Sequence, residues 1–111
     1  MSTNKHISQD RWLEFFDQFT NGNKGRQIKL EIVSPEIGDQ TPFESAPLWS
    51  LVYDPMRVGN NLTLEIGRDE VSYAHTINDL SDVWEKQDEN GKAVALEVLS
   101  EDGTQNVISL F

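Results

Sequence analysis

Two turn signals near the end of the chain constrain its fold more than any other feature. Asn90-Gly91 separates the runs Val83–Gln87 and Ala93–Leu99, and Asp102-Gly103 separates Ala93–Leu99 from Asn106–Phe111. Asn-Gly and Asp-Gly supply the positive φ of tight hairpin turns, and flanked by alternating runs they are the strongest short-range hairpin signals. Two hairpins that share a strand make a three-stranded antiparallel meander.

The front of the chain has a different period. Trp12, Phe15, Phe16 and Phe19 stand at i, i+3, i+4 and i+7, which puts four rings on one helical stripe. Ser8 is placed to cap the first turn, Ile7 and Trp12 to form a hydrophobic staple, and Asp10 to meet the helix dipole. Asn21-Gly22 reads as the stop, so the expected helix covers about residues 9–20. A lone helix of this length is marginal in water, so its stripe must pack on the rest of the chain.

Between these two regions the period is again two. Ile28, Leu30 and Ile32 alternate with Lys29 and Glu31 and stop before Pro35. Pro35, Gly38, Pro42 and Pro47 predict a loop from Ser34 to about Ala46. Leu48–Tyr53 is apolar on both faces, as for a strand that is central or covered by the helix. Leu62, Leu64 and Ile66 form the next strand, and Gly67-Arg68-Asp69-Glu70 turns into Val71–Ile77. A break follows over Asn78–Ser81. The expected class is α+β, mostly β: one N-terminal amphipathic helix on a strongly bent antiparallel sheet or small barrel of about six strands. Residues 1–111 are expected to form a single domain, with a flexible N-terminus over 1–6, the helix over 9–20 and the sheet over 26–111.

Charge narrows the partners. The chain of 111 residues has a formal net charge of −10 and no cysteine. Duplex nucleic acid and anionic membrane need a positive face, so neither is an expected partner. Residues 1–68 carry nine acidic and seven basic side chains, whereas residues 69–111 carry ten and two. The excess therefore lies in the last two hairpins and the loop before them, and one end of the sheet is expected to be negative. The absence of cysteine excludes a disulfide framework, a thiolate nucleophile and Cys-ligated metal. No apolar run reaches membrane-spanning length and no secretory signal leads the chain, so a cytoplasmic location is expected.

Several motifs together resemble a known family. They are Arg11-Trp12-x-x-Phe15-Phe16-Asp17-x-Phe19, Leu62-x-Leu64-x-Ile66-Gly67, His75-Thr76-Ile77, and Leu96-x-Val98-x-x-x-Asp102-Gly103-Thr104 before a final apolar strand. The chain resembles, over nearly its whole length, a bacterial family of short proteins known as domain of unknown function 5335 (DUF5335). The resemblance implies one self-contained domain and carries no catalytic residue with it.

Five residues stand out as candidates for an interaction or ligand site: His75, Tyr73, Asp79, Asp82 and Trp84. His75 shares a strand face with Val71, Tyr73 and Ile77, where it is either a base or ligand at a pocket edge or a packed histidine. Asn78-Asp79-x-x-Asp82-x-x-Glu85 gathers oxygen donors, but its spacing fits loop capping better than a calcium loop. Trp12 and Trp49 are expected in the core. Either Val83 or Trp84 must face away from it, and an exposed Trp84 would offer a partner a contact point. No nucleophile elbow or phosphate loop is present, so no catalytic residue, metal site or cofactor is expected. The leading expectation is a non-catalytic binding module for a protein partner, a basic one if charge guides it. A small-ligand or metal pocket near His75, with Tyr73 as a second handle, is the alternative. A third is an acidic mimic of nucleic acid. A homo-oligomer could form through an edge strand such as the one ending at Phe111.

Overall fold

Alternation of apolar and polar residues leaves most strands with one face to bury, and in this chain those faces meet. A computed structural model describes residues 3–111, the side chain of Met56 excepted. The strands are β1 (Thr3–His6), β2 (Gln27–Ser34), β3 (Gly38–Asp54), β4 (Asn61–Ile66), β5 (Tyr73–Ile77), β6 (Leu80–Gln87), β7 (Ala93–Ser100) and β8 (Gln105–Leu110). The helix α1 (Trp12–Asn23) follows β1 through a 3-10 turn at Gln9–Arg11. The strands form one antiparallel sheet in the order β1-β6-β7-β8-β2-β3-β4-β5. The fold is thus α+β and mostly β, with one helix packed on a bent antiparallel sheet, as expected. The sheet does not close into a barrel, and its edges are β1 and β5. A flat eight-stranded sheet would span roughly 34 Å between its edges and, with one covering layer, be roughly 20 Å deep. The actual extents of 31 × 28 × 27 Å require strong coiling.

The concave face holds the core. Trp12, Phe16 and Phe19 of α1 meet Ile28 and Leu30 of β2, Leu51 and Tyr53 of β3, Leu62 and Leu64 of β4, and Val83, Leu96, Val98 and Ile108 of the meander. The Tyr53 ring lies edge-on to Trp12 at 5.7 Å and tilted against Phe16 at 5.9 Å. Beyond Pro47, β3 has lost β2 as a neighbour, and α1 takes that place. Thr20 Oγ1 accepts the Leu51 amide at 2.9 Å and donates to the Leu51 carbonyl at 3.3 Å, so a helix side chain satisfies backbone groups that no strand reaches.

Several expectations are corrected. Among the described residues there are eight strands rather than six, seven after the helix and one before it. Residues 3–6, expected to be flexible, pair with β6 from Thr3↔Gln87 to His6↔Trp84, while residues 1 and 2 lie outside the described residues. The expected loop over 34–46 is a tight turn followed by the first half of the 17-residue β3. Pro42 falls inside the register shift between Leu30↔Phe43 and Ile32↔Gln40, a bulge where its missing amide hydrogen costs no ladder bond. Asn21-Gly22 does not stop the helix, which runs to Asn23 and gives way at Gly25, with φ +91°. Ser8 makes no side-chain cap; its carbonyl accepts the Arg11 amide at 2.9 Å instead.

Both hairpin turns are found. Gly91 and Gly103 have positive φ, and Asn90 does not. Asp88 Oδ1 accepts the amides of Asn90 and Lys92, and Asp102 Oδ1 accepts that of Thr104. Each loop is a three-residue hairpin connection in which an Asp orders the turn and Gly supplies the left-handed residue. Those bonds hold both carboxyls below their ordinary value, with the Lys92 amide the main cause at Asp88 and the Thr104 amide at Asp102. The strand ending at Leu110, just before Phe111, lies between β7 and β2 and so is not an edge.

Candidate functional site

Strand β5 pairs with β4 through Leu64↔His75 and Ile66↔Tyr73, which turns His75 and Tyr73 toward the concave side. The sheet coils far enough to bring His75 against β8. Asn106 of β8 is 2 % exposed and donates through Nδ2 to the Val98 carbonyl at 3.3 Å. Burial lowers the His75 pKa, and a hydrogen bond with Asn106 partly opposes the shift. His75, Asp79, Asp102, Thr104 and Asn106 line a cleft of about 200 Å³ between the β5–β6 corner and the β7–β8 turn. Asp79 has φ +51°, and its carbonyl accepts the Glu101 amide at 2.9 Å, which ties the corner to the turn. Tyr73 does not belong to this cleft. Its ring stands edge-on to Phe43 at 6.2 Å, near the other end of β5. Among the described residues no group of three or more His, Cys, Asp or Glu side chains is placed to hold a metal ion.

Asp82 and Trp84 lie elsewhere, on the convex face of β6. Their i, i+2 spacing puts them on one side, and Trp84 Nε1 donates to Asp82 Oδ2 at 3.1 Å. His6 of β1 stands directly opposite Trp84. Its Nε2 bonds Asp82 Oδ1, and its ring lies 4.7 Å from that of Trp84. Desolvation acts upward on the Asp82 carboxyl, but the bonds from His6 and Trp84 and the His6 charge outweigh it and hold its pKa below the ordinary value. Trp84 keeps 38 % of its surface exposed. Beside it, Ala95, Leu99 and Val107 continue a shallow groove of about 360 Å³ flanked by Lys86 and Glu97. The helix lies on the opposite side of the sheet and leaves this face uncovered. Trp12 is buried as expected, whereas Trp49 is half-buried beneath Lys24, whose Nζ lies 4.1 Å from the ring centre.

The five candidates therefore fall into three places: His75 with Asp79, Tyr73 with Phe43, and Asp82 with Trp84. Two partners had no sequence signal. His6 reaches Asp82 across 76 positions of sequence, and Asn106 reaches His75 only because the sheet coils. The acidic excess is not gathered at one end. A meander sends successive turns to opposite ends, so Asp88 and Glu89 lie at one end while Glu101 and Asp102 lie at the other. Asp88 also has Lys92 and Arg26 close by.

No helix among the described residues is long and apolar enough to cross a membrane. No solved structure matches the chain. An uncharacterized protein of the bacterium Aquifex aeolicus (strain VF5) is 30 % identical over 106 residues, which cover 96 % of this chain and 90 % of that protein. A family model described as "Family of unknown function (DUF5335)" matches residues 3–111. The chain therefore belongs to the DUF5335 family, as its motifs suggested.

Proposed function

We propose that this domain is a non-catalytic protein-interaction module that meets its partner through the convex face of β1, β6, β7 and β8, with Trp84 at the centre. The observation that carries this is a large aromatic side chain, more than a third exposed, held in one orientation by Asp82 and His6 on an uncovered sheet face. A fixed tryptophan loses little freedom on contact and offers a large area, which is why such residues anchor interfaces. Ala95, Leu99 and Val107 extend the apolar area, and Lys86 and Glu97 supply a polar margin. With a net charge of −10, encounter with a basic partner is accelerated at low salt.

The test is affinity capture from the native lysate, wild type against Trp84→Ala, at low and high salt. A partner retained by the wild type and lost by the variant, at unchanged melting temperature, supports the surface. Capture that does not depend on Trp84, or no partner at low salt, overturns it.

A second function has a narrower support, the convergence of His75, Asp79 and Asn106 on the cleft of about 200 Å³. That volume suits a small polar molecule and little more. Stabilisation by such a molecule in a thermal-shift screen should vanish in His75→Ala. A shift that survives the substitution places the ligand elsewhere. A nucleic-acid mimic gains no such support, since the carboxylates of the meander are divided between its two ends and its two faces.

A further inference from the structure

We propose that the groove between α1 and the β1–β6 edge binds small zwitterions: free amino acids or dipeptides with an apolar side chain. This groove has a volume of about 710 Å³, and it lies on the opposite side of β6 from Trp84. Its walls include Lys5, Arg11, Glu14, Phe15, Gln18 and Glu85.

Glu85 is the anchor of the argument. It lies on the core-facing side of β6, between Val83 and Gln87, and is only 8 % exposed. A buried carboxylate is costly unless a cation or several donors meet it. Among the described residues the one hydrogen bond it makes is from Gln87 Nε2 to Oε1, at 2.8 Å. No buried side-chain oxygen among the described residues lacks a partner, so the second carboxylate oxygen of Glu85 is open to solvent, and Glu85 lines the groove. Lys5 stands directly opposite in the β1–β6 register, yet the two form no ion pair among the described residues. An ammonium group from a ligand would complete this site.

The remaining walls specify the rest of the ligand. Arg11 and Lys5 present cationic groups at the same groove, where a ligand carboxylate is received. Phe15 is the one ring of the helical stripe that is not fully buried, and it offers the groove an apolar wall. A positive wall, a negative buried floor and an aromatic side within one cavity match an amino group, a carboxylate and an apolar side chain on one small molecule. The volume accommodates a dipeptide.

Isothermal titration calorimetry on the full chain tests this with L-phenylalanine, L-leucine and leucyl-leucine. N-acetyl-L-phenylalanine lacks the ammonium group and L-phenylalanine amide lacks the carboxylate, so these are the controls. Binding of at least one zwitterion, weakened at least about tenfold by either blocking group, is expected. Glu85→Gln keeps the side-chain shape and the Gln87 neighbour, and should erase the preference for a free amino group. Arg11→Gln should erase the preference for a free carboxylate. Trp84→Ala should change neither, which separates this groove from the interaction surface above. Absence of binding up to about 10 mM of all three ligands overturns the proposal. So does equal affinity for the blocked analogues, or unaltered selectivity in Glu85→Gln. Should Glu85→Gln fail to fold, the blocked ligands on the wild type and the Arg11→Gln variant still decide.

Discussion

At the residue scale, buried polar groups show where single side chains hold the molecule together. Asn60 is 8 % exposed with φ +56°; its Oδ1 accepts the Tyr53 hydroxyl at 2.6 Å and its Nδ2 donates to the Leu80 carbonyl at 3.0 Å. It thus joins the end of β3 to the start of β6. Asn60→Ala should cost roughly 2–4 kcal/mol, because the Tyr53 hydroxyl and Leu80 carbonyl lose a partner and Ala tolerates the left-handed conformation less well. Urea denaturation measures this, and a loss below roughly 0.5 kcal/mol would show that water replaces both bonds. His75 gives a prediction in pH. Its folded pKa lies below the ordinary 6.5, so the folded state disfavours the charged ring. The stability this contributes is present above about 6.5 and is lost as pH falls through the lowered folded value. Asp79 and Asp102 face the same cleft, and the Thr104 amide holds the Asp102 carboxyl below its ordinary value, so the comparison belongs between pH 8 and 5.5. Over that range the wild type should lose more stability than His75→Gln; parallel curves would mean that His75 is not desolvated. The strand face of His75 was legible in the alternation of Val71, Tyr73 and Ile77. Its partner was not, because Asn106 arrives through the coiling of the whole sheet. Asp82 and Trp84 were read apart, one as a loop oxygen donor and one as a strand residue; β6 starts at Leu80 and puts them on one side, and His6 comes from the far end of the chain.

At the element scale, the meander was readable because its turns are local chemistry and its strands pair with sequence neighbours. The second half of β3 was readable as the strand Leu48–Tyr53, but the first half was not, because Pro42 and Pro47 are loop signals. They are tolerated because β3 is bulged against β2 and changes neighbours near Pro47, and bulges are long-range facts of pairing. Strand β1 was hidden for a different reason. Thr3–His6 has no apolar alternation, since all four residues are exposed and only backbone pairing to β6 makes them a strand. The β4–β5 connection depends on Gly67, whose amide donates to the Pro47 carbonyl at 3.0 Å and whose φ is +157°. A Cβ built there would collide with the Glu70 carbonyl oxygen, which is backbone and has no easy escape. Gly67→Ala should therefore destabilise by about 2 kcal/mol or more, while Gly91→Ala, with open space around it, should cost only the strain of positive φ, roughly 1 kcal/mol. Thermal melts of the two variants check the ranking. Equal losses would show that the 67–72 turn rearranges to make room.

For the whole molecule, an open sheet of eight strands has two edges, and the chain protects them differently. Exposed backbone donors and acceptors along an edge template pairing with another copy, and short polar edge strands limit this. Strand β1 fits that role: four residues, Thr-Asn-Lys-His, lie along the last four residues of the eight-residue β6, from Trp84 to Gln87. The helix does not depend on β1 for its start. Ile7 donates its amide to the Val83 carbonyl at 2.9 Å and accepts Trp12 Nε1 at 2.9 Å, so the chain beyond His6 is anchored separately. Deleting residues 1–6 should therefore leave the core and α1 in place and uncover β6. Two uncovered β6 strands can pair antiparallel through their backbones, extending two sheets into one. Light scattering after size-exclusion chromatography should then show a dimer fraction that rises with concentration and exceeds that of the full chain. Adding a peptide of the sequence Thr-Asn-Lys-His-Ile should reduce it. A truncated chain that stays as monomeric as the full one, with its melting temperature lowered, would instead mean that β1 contributes stability and Trp84 placement but no edge protection.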